Sequence, residues 1–364
     1  MRTNTPRRLF ALAALAASLF AANKVSAQQA STRTLLALSK HDHALVMVDA
    51  VTLQVIARAP VGPDPHEVIA SADGKTAYVS IYGGGQYHAL SVIDLVGHKA
   101  LPDIDTGALN GPHGLAFAGG KVWFTAEGAK AIATYDPASA RIDWIMGTGQ
   151  NRTHMIYVAP GEKQIYTTNV SSATVTILEK VTLPPGGPGG PPPGARPPQG
   201  AQPPPPPPGG NQPRMDWNET VIPVGKGDEG FDVSPDGREL WTANAQDGTL
   251  SVINLSTRTV TATLDAKTFG ANRLKFTPDG RLVLISSLGD GGLVIYDAAT
   301  RKAFRRVKIG HGAAGILMDP AGNRAFIACS PDNYIAVVDL KTFEVTNHID
   351  VGGEPDGLAW ATRP

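Results

Sequence analysis

Histidine comes just before a short apolar run at His66, His113 and His154, and Glu229 holds the same place before another run. Imidazole and carboxylate groups bind zinc, copper, iron, nickel or manganese, whereas a shell made only of oxygen would suit calcium or magnesium. Three or four such ligands around an ion with an open coordination position would permit hydrolysis or redox chemistry. These residues share no short-range motif, so only the fold can bring them together.

The elements that would position them recur at a spacing of about 40 residues, which is typical of propeller blades. The unit is clearest in residues 230–264, where four runs rich in Val, Ile, Leu, Thr and Trp are separated by turn residues. This pattern predicts a four-stranded antiparallel sheet. Seven first strands align, and they begin at Val68, Leu115, Ile156, Phe231, Leu274, Ile316 and Leu358. We therefore predict an all-β chain that folds as a seven-bladed β-propeller.

The two ends of the repeat array predict how the ring closes. Residues 34–59 supply three strands of a blade and lack the first, and the chain ends on a first strand that begins at Leu358. We expect the C-terminal strand to complete the N-terminal blade, which leaves no unpaired sheet edge between the ends. Residues 28–364 would then form one domain.

A Pro/Gly-rich stretch, residues 184–213, interrupts one blade between its third and fourth strands. Such a composition favours polyproline-like and flexible chain without a core of its own. We interpret it as a loop insertion rather than a boundary between domains. A tolerated surface insertion and a contact for a protein partner both fit it.

The first 27 residues predict export. A basic start (Met1–Arg8) precedes an apolar, alanine-rich run (Leu9–Ala22) and a small-residue cleavage signal that ends at Ala27, which is the pattern of a signal peptide. Arg7 and Arg8 also resemble a twin-arginine signal, so the export route stays open. We expect a periplasmic or secreted protein with no membrane span.

The charge balance and the cysteine count argue against two features that other sequences of this length can have, nucleic-acid binding and an intrachain disulfide. Lys+Arg and Asp+Glu each total 32, so the formal net charge is zero, which argues against nucleic-acid binding. Cys329 is the only cysteine, so an intrachain disulfide is excluded and a core position is expected. We expect a monomer.

Strand alternation predicts which residues share a face. The loop that enters each first strand and the turn between the second and third strands lie on one face, here called the top; the other turns lie on the bottom. In ring order, the positions two residues before the aligned starts hold Asp356, His66, His113, His154, Glu229, Asn272 and Ala314. First strands line the central channel, so these seven mouth positions should surround its top opening.

Top-face turns add His41, His43, His88 and Glu127, and Arg152 and Arg273 lie near the mouth. We predict a divalent or transition-metal site formed by His66, His113, His154 and Glu229. We predict contacts to a small-molecule or protein ligand from Asn272, Arg152, Arg273, His88 and Asp356.

The chain resembles the YVTN-repeat propellers, the YncE-like exported proteins, through "LWTANAQDGTLSVINL" (240–255) and "AFIACSPDNYIAVVDL" (325–340). In addition, "GPHGLAFAGGKVWFTAEG" (111–128) resembles one blade of the virginiamycin B lyase-type propellers, which carry P-H-G followed by W-F-T-E. Those enzymes open a cyclic depsipeptide by elimination. The resemblance implies that His113 is the base and that Glu127 helps to hold a divalent ion. Ala126 stands where that signature has its glutamate, so Glu127 follows one residue late.

Three functions fit these observations. The first is an exported propeller that binds a ligand, a metal ion or a protein partner at its top face, without established catalysis. The second is a metal-dependent enzyme, either lyase-like through His113 and Glu127 or built on a histidine–metal centre. The third is an interaction protein of the cell envelope that uses the Pro-rich loop.

Overall fold

The computed structural model describes Met1, residues 32–183 and residues 213–363. The described residues form 28 strands in seven four-stranded antiparallel sheets. Residues 2–31, 184–212 and 364 lie outside this description, and with them the predicted signal peptide and the Pro-rich insertion except for Pro213. Among the described residues, no helix is long and apolar enough to cross a membrane.

Apart from β28, the strands of blades 1 to 4 come from residues 32–223. Blade 1 is β28 (Pro355–Arg363), β1 (Thr32–Ser39), β2 (Ala44–Asp49) and β3 (Val55–Pro60). Blade 2 is β4 (Pro65–Ala70), β5 (Thr76–Ile81), β6 (Ala89–Asp94) and β7 (Lys99–Asp105). Blade 3 is β8 (Pro112–Ala118), β9 (Lys121–Ala126), β10 (Ala131–Asp136) and β11 (Arg141–Gly147). Blade 4 is β12 (Thr153–Val158), β13 (Gln164–Asn169), β14 (Thr174–Leu183) and β15 (Arg214–Pro223).

The remaining blades follow in chain order. Blade 5 is β16 (Asp228–Val233), β17 (Glu239–Asn244), β18 (Thr249–Asn254) and β19 (Thr259–Asp265). Blade 6 is β20 (Ala271–Phe276), β21 (Leu282–Ser287), β22 (Gly292–Asp297) and β23 (Lys302–Lys308). Blade 7 is β24 (Ala313–Met318), β25 (Arg324–Cys329), β26 (Tyr334–Asp339) and β27 (Val345–Asp350). Short 3₁₀ turns cover Gly83–Gly85 and Ser330–Asp332.

The ring closes as the repeat array predicts. β28 pairs antiparallel with β1, with Leu35 opposite Trp360. Each first strand also contacts the first strands of the two neighbouring blades, and the last contact, between β24 and β28, completes the circle. The seven-bladed propeller is therefore confirmed, and the first strands surround the central channel.

The core lies between the blades. Second and third strands are buried on both faces, because each blade packs face to face against the next. Trp241 is fully buried and meets Phe276 and Tyr296 of the following blade edge to face. Cys329 is also fully buried, in agreement with the core position expected from the sequence. Fourth strands consist mostly of exposed and half-buried residues, since they form the outer rim.

Candidate functional site

All seven mouth positions predicted from the repeat lie at the start of a first strand, and each is the second residue of its strand. A pocket of ≈ 480 Å³ opens at the mouth of the channel. Its lining includes Lys40, His66, Tyr82, His113, Arg152, His154, Glu229, Asn272, Arg273, Ala314 and Asp356. Side chains from widely separated parts of the chain thus share one cavity.

A β-bulge at the start of each first strand aims these side chains. In blade 3 the pairing with β9 passes from Pro112 directly to Leu115, so one extra residue is accommodated around His113. Bulges re-aim side chains in this way and leave backbone groups without ladder partners. Thr125 supplies the missing partner: its hydroxyl accepts from the N–H of Gly114 at 2.9 Å and donates to the carbonyl of His154 at 2.5 Å.

The hydroxyl on the second strand recurs around the ring. In blade 6, Ser286 accepts from the N–H of Arg273 at 3.0 Å and donates to the carbonyl of Ala314 at 2.6 Å. Each hydroxyl therefore ties a bulge to the mouth residue of the next blade. Our sequence analysis missed these residues, although the next-to-last residue of the second strand is Ser or Thr in four blades (Ser80, Thr125, Thr168 and Ser286), which was a visible signal.

Three buried groups come together on one side of the mouth. One ligand-type atom each from His113, Glu127 and His154 lies within 4.8 Å of the other two. The two imidazole rings are 3.9 Å apart between centroids and tilted by 35°. Nδ1 of His113 is buried without a hydrogen-bond partner among the described residues. Burial holds the pKa of His113 well below its usual value, and the nearby His154 adds to the effect, so its imidazole is neutral.

His154 lies between two carboxylates. Its Nδ1 is 2.5 Å from Oε1 of Glu127, and its Nε2 is 2.8 Å from Oε2 of Glu229, although the second contact lacks hydrogen-bond alignment. Burial disfavours the charged imidazole, but Glu229 and Glu127 outweigh it and raise the pKa of His154 to about 9. Without a metal, His154 is thus a buried imidazolium that bridges two carboxylates at neutral pH.

Glu127 reaches this cluster from the turn that follows β9. Its backbone N–H donates to Gly111 at 2.9 Å, and its Oε2 accepts from the Tyr82 hydroxyl at 2.6 Å. Arg152 approaches the same oxygen at 3.4 Å. Glu127 therefore points toward His113 although it comes one residue late after the W-F-T run, because the turn after β9, and not the alternation of the strand, sets the direction of its side chain.

His66 lies beside the cluster and has other partners. Its Nε2 is 3.0 Å from Asp64 and 2.9 Å from Lys40, and its Nδ1 is 3.5 Å from Asp356. Its ring centroid is 5.0 Å from that of His113. The structure thus groups His113 and His154 with Glu127, whereas the predicted set combined them with His66 and Glu229. Lys40 and Tyr82, which the sequence analysis did not single out as site residues, also line the pocket.

The wall of the pocket carries an ion pair that crosses the channel. The guanidinium of Arg273 in blade 6 contacts the carboxylate of Glu67 in blade 2, and both side chains are mostly buried. Arg152, predicted as a ligand contact, lies 3.5 Å from Glu229. Arg273 and Arg152 therefore neutralise acidic groups of the mouth in the structure described here.

Not every top-face histidine reaches the mouth. His88, predicted as a ligand contact, is exposed and lies 2.9 Å from Asp105, away from the pocket. His41 and His311 are also exposed and pair with Asp42 and Asp332. These three imidazoles are exposed and pair with nearby aspartates, and none of them lines the pocket.

No protein-family model matches the chain, and no curated protein matches it in sequence. Solved structures do superpose on it. A protein of unknown function from Desulfotomaculum acetoxidans gives a TM-score of 0.68 at 10% identity and covers 91% of this chain and 99% of its own. Hydrazine synthase of Kuenenia stuttgartiensis gives 0.66 at 17% identity, over 84% and 92%. A candidate 6-phosphogluconolactonase from Bacteroides fragilis gives 0.68 at 16% identity, over 92% and 99%. At these identities the likeness establishes the propeller fold alone.

Proposed function

We propose that this is an exported propeller that binds a divalent transition-metal ion of the zinc type through His113, Glu127 and His154. The ion would lie at the inner end of the channel mouth, and the pocket above it would hold a small polar ligand. The main support is the approach of three buried, metal-ligating groups to within 4.8 Å of one another. The basic and apolar N-terminus supports export.

The donor set fits zinc chemically and nearly fits it geometrically. Two imidazoles and one carboxylate, with a further position open to a pocket, are typical of zinc sites that bind an exogenous ligand. A tetrahedral zinc ion holds its ligand atoms about 3.3 Å apart, so small side-chain rotations would complete the site. His113 already offers a neutral, unpartnered nitrogen. His154 must lose the proton that it shares with Glu127, because metal and proton compete for the same nitrogen.

Zinc titration by isothermal calorimetry, with metal content measured on the dialysed protein, tests this proposal. We expect one zinc ion per chain, bound with the release of about one proton at pH 7. His113→Ala and His154→Ala should each weaken binding at least 100-fold. His88→Ala is a matched control, since it removes a top-face histidine that also pairs with an aspartate.

Two further variants distinguish this ligand set from the set predicted by the repeat alone. Glu127→Gln should abolish binding, whereas His66→Ala should leave the zinc affinity within about threefold of the unaltered chain. The opposite pattern would identify the His66-containing site. Chain that takes up no stoichiometric zinc, or that binds it equally well in the His113→Ala variant, would refute the proposal.

A metal-dependent enzyme would use the same cluster. In that case the free nitrogen of His113 would be the base and would not bind the ion, which Glu127 would help to hold; these are the roles implied by the lyase-type resemblance, in which a base removes a proton from a substrate held by an ion. Ring opening of a cyclic depsipeptide that requires added zinc, and that disappears in the His113→Ala variant, would favour this second function over ligand binding alone.

A further inference from the structure

Three tryptophans meet in a groove on the bottom side of the propeller, far from the histidine cluster. Trp144 on β11 lies between Trp123 on β9 and Trp217 on β15, with ring centroids 5.4 Å and 5.6 Å apart. The groove thus spans the boundary between blades 3 and 4 and has a volume of ≈ 420 Å³. Trp123 is buried, whereas Trp144 and Trp217 remain partly open to solvent.

The groove presents aromatic faces and unpaired hydrogen-bond donors. The indole N–H of Trp123 donates to the carbonyl of Ala118 at 3.2 Å. The indole N–H groups of Trp144 and Trp217 have no acceptor among the residues that the structure describes, and neither is sealed from solvent. Lys121 and Asp143 pair with each other at the edge of the groove. The open donors therefore suit a ligand that carries carbonyl groups and apolar rings.

The strands that enclose the groove also lead into the Pro/Gly-rich segment. β14 and β15 have 10 residues each, against six or seven in β10 and β11 of the preceding blade, and their pairing runs on to Leu183 and Arg214. Lys180 and Trp217 lie opposite each other in this extension, and both line the groove. The segment thus leaves and rejoins the fold directly beside the three tryptophans.

We propose that the segment 184–212 of the same chain binds in this groove. Proline-rich chains in the polyproline II conformation dock into aromatic grooves, where prolines stack on the rings and indole N–H groups donate to backbone carbonyls. Proline has no N–H to satisfy, so the groove's free donors and the segment's free acceptors are complementary. Six consecutive prolines occupy 203–208, and Pro208 is only six residues from Arg214, a distance of at most about 20 Å.

Attachment at both ends strengthens such a contact. A tethered segment experiences an effective concentration in the millimolar range, so even weak stacking keeps the groove occupied. The same segment added as a free peptide must compete with the attached copy. This competition separates occupation by the chain's own segment from an open groove that awaits a partner.

The proposal is tested by titrating a peptide of residues 184–213 into two proteins. One is the intact chain, and the other is a variant in which a Gly/Ser linker of equal length replaces residues 184–212. Calorimetry measures the affinity. We expect the peptide to bind the linker variant at least tenfold more tightly than the intact chain. In the linker variant, Trp217→Ala should abolish binding of the peptide, and Trp217→Tyr should preserve part of it. Phe304→Ala is the control: it removes an exposed ring from blade 6 and should not change the affinity.

Each other result would overturn the proposal. Equal affinity for the intact chain and the linker variant would mean that the attached segment leaves the groove open. Absence of binding to both would mean that the tryptophans do not recognise this sequence. Binding to the linker variant that survives Trp217→Ala, in protein with unchanged circular dichroism, would place the peptide elsewhere.

Discussion

Replacing Glu67 by glutamine removes one member of the ion pair that crosses the channel. The side chains of Arg273 and Glu67 are only 7% and 13% exposed, so neither charge can turn to bulk water when its partner is lost. Removing one partner of a buried pair costs about 3–5 kcal/mol, because the other charge stays buried without compensation. Asp356 and Glu229 also act on Arg273, which places the expected loss for Glu67→Gln near the lower limit, at about 3 kcal/mol.

Equilibrium unfolding in urea, followed by tryptophan fluorescence, measures this loss as a lower midpoint at an unchanged slope. The double variant Glu67→Leu, Arg273→Met should lie within about 1 kcal/mol of the unaltered chain, because it removes both charges together. Arg238→Gln is the control: it breaks an exposed pair with Asp236 and should cost below about 1 kcal/mol. If Glu67→Gln costs no more than this control, or if the double variant loses more stability than Glu67→Gln alone, the blades are not joined across the channel.

Three further predictions concern other parts of the fold. Burial raises the pKa of Asp228 to about 8, so the native chain keeps a proton that the unfolded chain loses above about pH 4. This carboxyl therefore lowers the stability of the fold increasingly as the pH rises from about 4 to about 8. Asp228→Asn should raise the urea midpoint at pH 8 and leave it nearly unchanged at pH 4. Burial also raises the pKa of the Cys329 thiol to about 12, so a thiol reagent should fail to label the native chain and should label one site per chain in denaturant. Ending the chain after Glu354 removes β28 and leaves β1 without its inner partner. Circular dichroism should then show no cooperative thermal transition. A transition whose midpoint stays within a few degrees would show that the ring does not need this closure.

The fold could be predicted because the relevant signals are local. Turn residues and short runs rich in Val, Ile, Leu, Thr and Trp mark the strands. A missing first strand at one end of the repeat array and a surplus one at the other predict the closure. That closure then decides which residues share the channel mouth, so His66, His113 and His154 could be assigned to one rim without any structure. The pairing of β28 with β1 and the common pocket agree with that assignment.

The partners of each side chain could not be predicted in the same way. Glu127 reaches the cluster from the turn after β9, and His66 contacts Lys40 and Asp64, which come from two other loops. The alternation of apolar residues does not reveal the bulge, because the bulge precedes the apolar run of each first strand, as between Pro112 and Leu115. The contact between Arg273 and Glu67 depends on the diameter of the channel, which emerges only when all seven blades are assembled.

The histidines at the mouth require an explanation other than folding. The fold requires glycine directly after His113, because a side chain at Gly114 would collide with the carbonyl of His154 in the next blade. The mouth position does not require histidine in the same way, because the equivalent bulge in blade 7 accommodates Ala314. A structural role therefore accounts for the glycine of the P-H-G sequence and not for its histidine. A buried imidazole with a free nitrogen lowers stability, since an unpaired polar group is costly to bury, and His113 bears that cost where a metal ion would remove it.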